Sequence, residues 1–191
     1  MKPIMGVVIL LLALCFPVRA DYMELLLKGD HQAALEEMRP LAEKGEAKAQ
    51  YDYALMYELG LVVNQNQTEA ARWYMKSAAQ GYPYAQNNLG VMYEEGRGVE
   101  RNDAKAADLF RQAARKGLTK AQYSLGRMYA EGRGVIGDPV QAYFWLSLAA
   151  ADEDLKDAGK LRDNLAKEMT PAQIAQARKL VRGFKPQDGA K

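Results

Sequence analysis

Histidine and cysteine are almost missing from this 191-residue chain, at one residue each, and serine occurs only at Ser77, Ser124 and Ser147. Each scarcity removes a class of chemistry. A zinc site draws on several imidazole or thiolate ligands, and a Ser-His-Asp triad needs a histidine beside its serine. His31 stands alone near the start, where a solvated or helix N-terminal position is the expectation. None of the serines opens S-x-x-K or lies in G-x-S-x-G. The sequence therefore offers no catalytic residue, no metal ligand set and no cofactor site. An excess of one charge is lacking too. Removing residues 1–20 takes Lys2 and Arg19 and no acid, which leaves 24 bases against 24 acids. Balanced, interspersed charge gives no footprint for nucleic acid or an anionic membrane surface. Long period-two alternation is absent, so strands have little support, while the dominant Ala, Leu, Met, Glu, Gln, Lys and Arg favour helix.

The first twenty residues differ from the rest. Lys2 precedes an uncharged apolar run from Ile4 to Phe16, followed by Pro17-Val18-Arg19-Ala20 with small residues at the −3 and −1 places. That layout is a secretory signal, with cleavage expected after Ala20 and a periplasmic or secreted product. The apolar run is short for a membrane span, so no insertion is expected after cleavage. Cys15 leaves with the signal, and the mature chain then has no thiol with which to make a disulfide.

What the chain does have is recurrence. Ala49-Gln50, Ala85-Gln86 and Ala121-Gln122 are spaced by 36 residues. The same interval joins Gly45, Gly81 and Gly117; Tyr57, Tyr93 and Tyr129; Gly60, Gly96 and Gly132; Trp73, Leu109 and Trp145; and Ala78, Ala114 and Ala150. Each unit reads as two helices. In the second, helix A runs from about Pro83 to Glu95, with Ala85, Leu89, Gly90 and Tyr93 on one stripe. Helix B runs from about Asp103 to Lys116, capped by Asn102 or Asp103, and Ala106, Leu109, Phe110, Ala113 and Ala114 form its expected buried face. Asp138-Pro139 places a cap and a first-turn proline at the third helix B. Ala54, Gly90 and Gly126 share one column, where a larger side chain would hold the two helices apart. Gly96-Arg97-Gly98 and Gly132-Arg133-Gly134 read as turns, since no strand and no G-K-[ST] frames them. Trp73 and Trp145 read as core, and the acidic pairs Glu94-Glu95 and Asp152-Glu153-Asp154 as solvated helix ends.

The pattern A-x-x-x-L-G-x-x-Y-x-x-G, as Ala85, Leu89, Gly90, Tyr93, Gly96 and again Ala121, Leu125, Gly126, Tyr129, Gly132, resembles the Sel1-like repeat family, a 36-residue relative of the tetratricopeptide repeat. The first unit is looser: Tyr53-Ala54 replaces Leu-Gly, and Leu61 replaces the loop arginine. The resemblance implies an all-α, right-handed α-solenoid of helix–turn–helix repeats with N- and C-terminal capping helices, and an adaptor role. The divisions are a signal at 1–20, an N-terminal capping half-repeat at 21–45, repeats at 46–81, 82–117 and 118–153, C-terminal capping helices at 154–184, and a disordered tail at 185–191. In the C-terminal cap, Leu155, Ala158, Leu161 and Leu165 share a stripe, Thr170-Pro171-Ala172-Gln173 forms a capping box, and Ile174, Ala177 and Val181 face inwards.

Stacked helical hairpins present an extended concave surface, lined by the A helices. The face of helix A turned from the core carries Lys48, Tyr51, Leu55 and Glu58 in the first unit. It carries Tyr84, Asn87, Val91 and Glu94 in the second, and Lys120, Tyr123, Arg127 and Glu131 in the third. These twelve vary where the core columns do not, and their mixture suits recognition of a protein or peptide. The expectation is a monomeric exported scaffold or adaptor in the bacterial cell envelope, with a periplasmic regulator of a membrane sensor or envelope assembly, and an enzyme acting on cell-wall material, as the other readings.

Overall fold

The computed structural model describes residues 22–187 except Val62; the signal at 1–20 and the last four residues lie outside the described residues. Those described form ten helices and no strand. Three hairpins recur at the sequence interval: α3 (Ala47–Leu59) with α4 (Gln67–Ala79), α5 (Pro83–Glu95) with α6 (Asp103–Arg115), and α7 (Thr119–Glu131) with α8 (Pro139–Ala149). From α1 to α9 each helix packs on the next along the chain, which makes a helical solenoid. Two helices precede the hairpins, α1 (Tyr22–Lys28) and α2 (His31–Glu43), and two follow, α9 (Lys156–Ala166) and α10 (Pro171–Gly183).

Repeated residues impose repeated boundaries. Gly60, Gly96 and Gly132 end the A helices in the left-handed conformation that glycine adopts without a Cβ penalty. Asn66, Asn102 and Asp138 cap the B helices through their side chains. Their own backbone N–H groups donate to the carbonyls of Tyr57, Tyr93 and Tyr129, so the three tyrosines occupy equivalent positions, all half-buried. Gln50, Gln86 and Gln122 each donate from Nε2 to the last turn of the preceding helix, at Ala42, Ala78 and Ala114 (3.1, 3.3 and 3.2 Å). Each bond falls on a last-turn carbonyl that lacks the i+4 amide of a continuing helix and accepts also from the closing glycine N–H of Gly45, Gly81 or Gly117.

Within a hairpin the small column does what its composition requires. A Cβ on Gly90 would lie 2.7 Å from Phe110, and one on Gly126 would lie 2.8 Å from Leu146. The residues they face form the innermost column, Tyr74, Phe110 and Leu146, all fully buried. The expected helix B face is corrected accordingly. Leu109 and Trp73 are only half-buried, and Ala107 takes the interior place given to Leu109. Trp145 is buried as expected, with Phe184, the residue after α10, against its ring. Trp73 lacks such a cover and carries Lys76 over its ring at 3.6 Å.

Gly98 and Gly134 serve the contact between repeats. Both have positive φ, and a Cβ on either would overlap backbone atoms of the preceding repeat, at Gln67 and Asp103, the first residues of α4 and α6. The turn reading of these loops thus captured the conformation and missed the contact.

The ends depart from the repeat. α10 starts at the Thr170 capping box and packs on α8, with Ala177 buried and Ile174 and Val181 against the core. The stripe on α9 is shared between two clusters, Leu155, Ala158 and Leu161 near Tyr123 and Leu165 near Met169. Lys185–Gln187, the described part of the tail expected to be disordered, follow α10. Phe184 anchors that segment between Phe144 and Trp145, and the Gln187 N–H donates to the Arg115 carbonyl (2.9 Å).

Candidate functional site

The arginine between the paired loop glycines reaches back across one repeat. Arg97 bonds Glu58 (2.9 Å) and Gln67 (3.2 Å), and Arg133 pairs with Glu94 in the same way. Arg127 also donates to Glu94. The Glu58 and Glu94 side chains are only 15% and 12% exposed, so these are not loosely solvated ends of α3 and α5. The solvated reading of Glu94 is corrected: two guanidinium groups hold it at the seam between repeats. Burial alone would lower the pKa of Arg127, and the Glu94 carboxylate outweighs it, so the net shift is upward.

The ladder stops at the first unit for a visible reason. Leu61 stands where the arginine would be, and the position 36 residues before Glu58 holds Tyr22, which has no carboxylate to offer. The Tyr22 hydroxyl donates instead to Asp52 (2.9 Å), which also accepts from Lys48 (2.8 Å). Glu94→Ala is expected to lower stability by roughly 1–2 kcal/mol, less than for a fully buried pair because Arg127 and Arg133 keep some contact with water. Urea midpoints check this, with Asp108→Ala, an exposed partner of Arg111, as the change that moves little.

Beside the ladder lies a group of tyrosines. Tyr51 has ring centroids of Tyr74, Tyr82 and Tyr84 at 5.7, 5.3 and 6.1 Å, and Tyr82 lies 5.5 Å from Tyr84. Tyr74 is wholly buried and Tyr84 is 46% exposed, so the group runs from core to surface. The buried hydroxyls join a polar chain. Tyr74 donates to Glu58 Oε2 (2.6 Å), Asn88 Nδ2 donates to the Tyr74 hydroxyl (3.1 Å), and Asn87 Nδ2 donates to Asn88 Oδ1 (3.2 Å). Burial, with the nearby Asp52 charge, pushes the Tyr51 hydroxyl up to about 12; burial and the Glu58 bond raise that of Tyr74 further. Both stay protonated donors across the physiological range.

Residues 47–82, 83–118 and 119–154 each match the family model described as Sel1 repeat. The chain belongs to the Sel1 repeat family. Among solved structures it is similar to the Sel1 repeat protein from Oxalobacter formigenes, at 32% identity and a TM-score of 0.66, over 68% of this chain and 54% of that one. It is also similar to a protective antigen present in uropathogenic Escherichia coli strains, displaying an SLR fold. There the identity is 27% and the TM-score 0.60, over 88% of this chain and 48% of that one. The chain spans about half the length of these two solved relatives. No curated protein matches it. Sel1 repeat proteins are generally non-catalytic scaffolds for protein–protein interaction.

Within the Sel1 array, the twelve residues assigned to the partner face separate into several environments. Glu58, Glu94 and Arg127 belong to the ladder, and Glu131 pairs with Arg127 and Arg133 at its rim, one residue past the place equivalent to Glu94. Leu55 and Val91 are half-buried against the hairpin clusters, and Tyr123 packs against Leu155 at the α9 cap. Lys48 holds Asp52. Tyr51, Tyr84 and Asn87 come together, and Lys120 is exposed in the third unit. Reading one unit at a time missed Tyr74, Tyr82, Asn88, Arg97 and Arg133. The one available signal was the pairing of the loop arginine with a glutamate 39 residues earlier, present at Glu58–Arg97 and Glu94–Arg133 and missing where Leu61 stands.

Proposed function

We propose that this Sel1 repeat protein is exported, loses residues 1–20, and acts as a monomeric scaffold that docks a protein or peptide partner in the bacterial cell envelope. The face it uses is the one carrying Tyr51, Tyr84, Asn87, Tyr123 and Lys120. The observation that carries this reading is the tyrosine group, because a large aromatic side chain left 46% exposed next to buried rings is the usual composition of a binding hot spot. The balanced charge of the mature chain favours a partner held by shape and hydrogen bonds over one held by net charge. Among the described residues no three His, Cys, Asp or Glu side chains group as metal ligands, and no helix is long and apolar enough to cross a membrane.

Two measurements test the two halves. N-terminal sequencing of the periplasmic fraction should start at Asp21; a product found only in the cytoplasm with residues 1–20 attached would refute export. A photo-crosslinker placed at Tyr84 in cells should trap one envelope protein, identified by mass spectrometry. Tyr51→Ala, leaving the ladder untouched, should remove that adduct. Equal trapping in the variant means the partner sits elsewhere.

A further inference from the structure

The polar chain beneath the tyrosine group has a direction, and the direction leaves one atom unpaired. Tyr74 owns a single hydroxyl proton and gives it to Glu58, a carboxylate already fixed by Arg97. Tyr74 can therefore only accept from Asn88, which turns the Asn88 amide nitrogen towards it and also towards the Tyr51 hydroxyl. Asn88 Oδ1 then faces Asn87 and must accept, so Asn87 presents its Nδ2 there. The Asn87 amide cannot flip without placing two oxygens together. Its Oδ1 remains a buried acceptor with no partner, on a residue only 9% exposed. An unsatisfied buried acceptor destabilises the fold, because the desolvation of that oxygen is not offset by a hydrogen bond. In helix α5, Tyr84 precedes Asn87 by three residues and so lies over the same face one turn earlier.

We infer that Asn87 is the anchor of the partner face: on binding, Asn87 Oδ1 is uncovered and accepts a backbone N–H from an extended peptide segment whose side chains lie against Tyr51 and Tyr84. This deepens the scaffold reading and rests on it. An extended segment exposes unpaired backbone N–H groups, as helix does not, and the site supplies the complementary acceptor already oriented by a chain of bonds that ends on a fixed charge. Preorganisation of that kind removes part of the ordering cost of binding. The same position holds Tyr51 in the first unit and Tyr123 in the third, so the hook is single and flanked by rings.

The probe is a phage-displayed library of random linear peptides about a dozen residues long, panned on the purified chain. The best peptide is then resynthesised with an N-methyl group at each backbone amide in turn. One methylated position should weaken binding to the parent about tenfold, the size of a lost hydrogen bond to a desolvated acceptor. The same methyl group should cost nothing further on Asn87→Leu or Asn87→Ala, whose own affinity is already about tenfold down. Asn87→Leu should melt within a few degrees of the parent, because it removes the unsatisfied Asn87 oxygen and keeps the volume but also takes the donor from the half-buried Asn88 Oδ1. If Tyr51→Ala and Tyr84→Ala abolish binding while every methylated peptide loses equally on parent and Asn87 variants, the hook is refuted and the binding face survives. If no peptide is selected, or those selected ignore Tyr51→Ala, both the hook and the binding face fall.

Discussion

Gly134→Ala is expected to cost roughly 2–5 kcal/mol of stability, as is Gly98→Ala, whose Cβ would meet the Gln67 carbonyl in the same way. Two costs add at Gly134. Its φ is +66°, where an L side chain strains the backbone by about 1–2 kcal/mol. The new Cβ would also overlap the Asp103 carbonyl at the start of α6, which overpacks the seam by a further 1–3 kcal/mol or so. Backbone atoms cannot swing aside as a side chain can, so the repeats must separate. Thermal unfolding followed by circular dichroism measures the change. Gly132→Ala is the comparison: it carries the same left-handed strain, but its Cβ would meet only Gly137 at 3.7 Å. A loss at Gly134 no greater than at Gly132 would show that the close approach of neighbouring repeats is not what the glycine protects.

Gly126→Leu should destabilise by roughly 1–3 kcal/mol through a different contact, the one inside a hairpin. Gly126 is an ordinary helical residue in α7, so no backbone strain is involved. Even a Cβ would stand 2.8 Å from Leu146 Cγ and 3.1 Å from the Leu146 backbone nitrogen, and leucine extends further into the same space. Leu146 is fully buried and has no room to retreat. A paired substitution discriminates the cause: Gly126→Leu combined with Leu146→Ala should recover part of the loss, since the second change vacates the volume the first one needs. Denaturant midpoints at constant m-value would show the recovery. Unchanged stability in the single variant would mean that α7 turns a different side to α8.

The seam glycines, the hairpin glycines and the arginine ladder explain why the first unit is looser in sequence. Val62 stands in place of Gly98 and Gly134, Leu61 in place of Arg97 and Arg133, and Ala54 in place of Gly90 and Gly126. The first hairpin follows a capping pair whose α1 helix is seven residues long and carries Tyr22 at the ladder position. With no carboxylate to reach, an arginine at 61 would gain nothing. The half-buried Leu61 packs instead on the cluster around Met38 and Tyr53.

Much of this molecule could be read along the chain, because a repeat prints each local requirement three times. The interval of 36 residues, the hairpin boundaries, the asparagine and aspartate caps and the helix-ending glycines are properties of segments shorter than one unit. Propensity, capping and left-handed backbone freedom act at that range. What lay beyond reach were relations between helices, within a hairpin and across the seams. Leu109 and Phe110 are neighbours with similar apolar character, and only the packing of α5 on α6 decides that Phe110 goes fully inside. Glu58 and Glu94 look like solvated acids until the following loop swings an arginine onto them. Tyr74 and Asn88 look unremarkable until three helices bring them into one directed chain that leaves the Asn87 oxygen unpaired. Periodicity along the chain therefore determined which residues form helices and where they turn. The direction of each side chain at the seams, and with it the character of the partner face, was decided only when the hairpins stacked, because hydrogen bonds and ion pairs depend on ångström-scale approach between groups 14 to 39 residues apart in sequence.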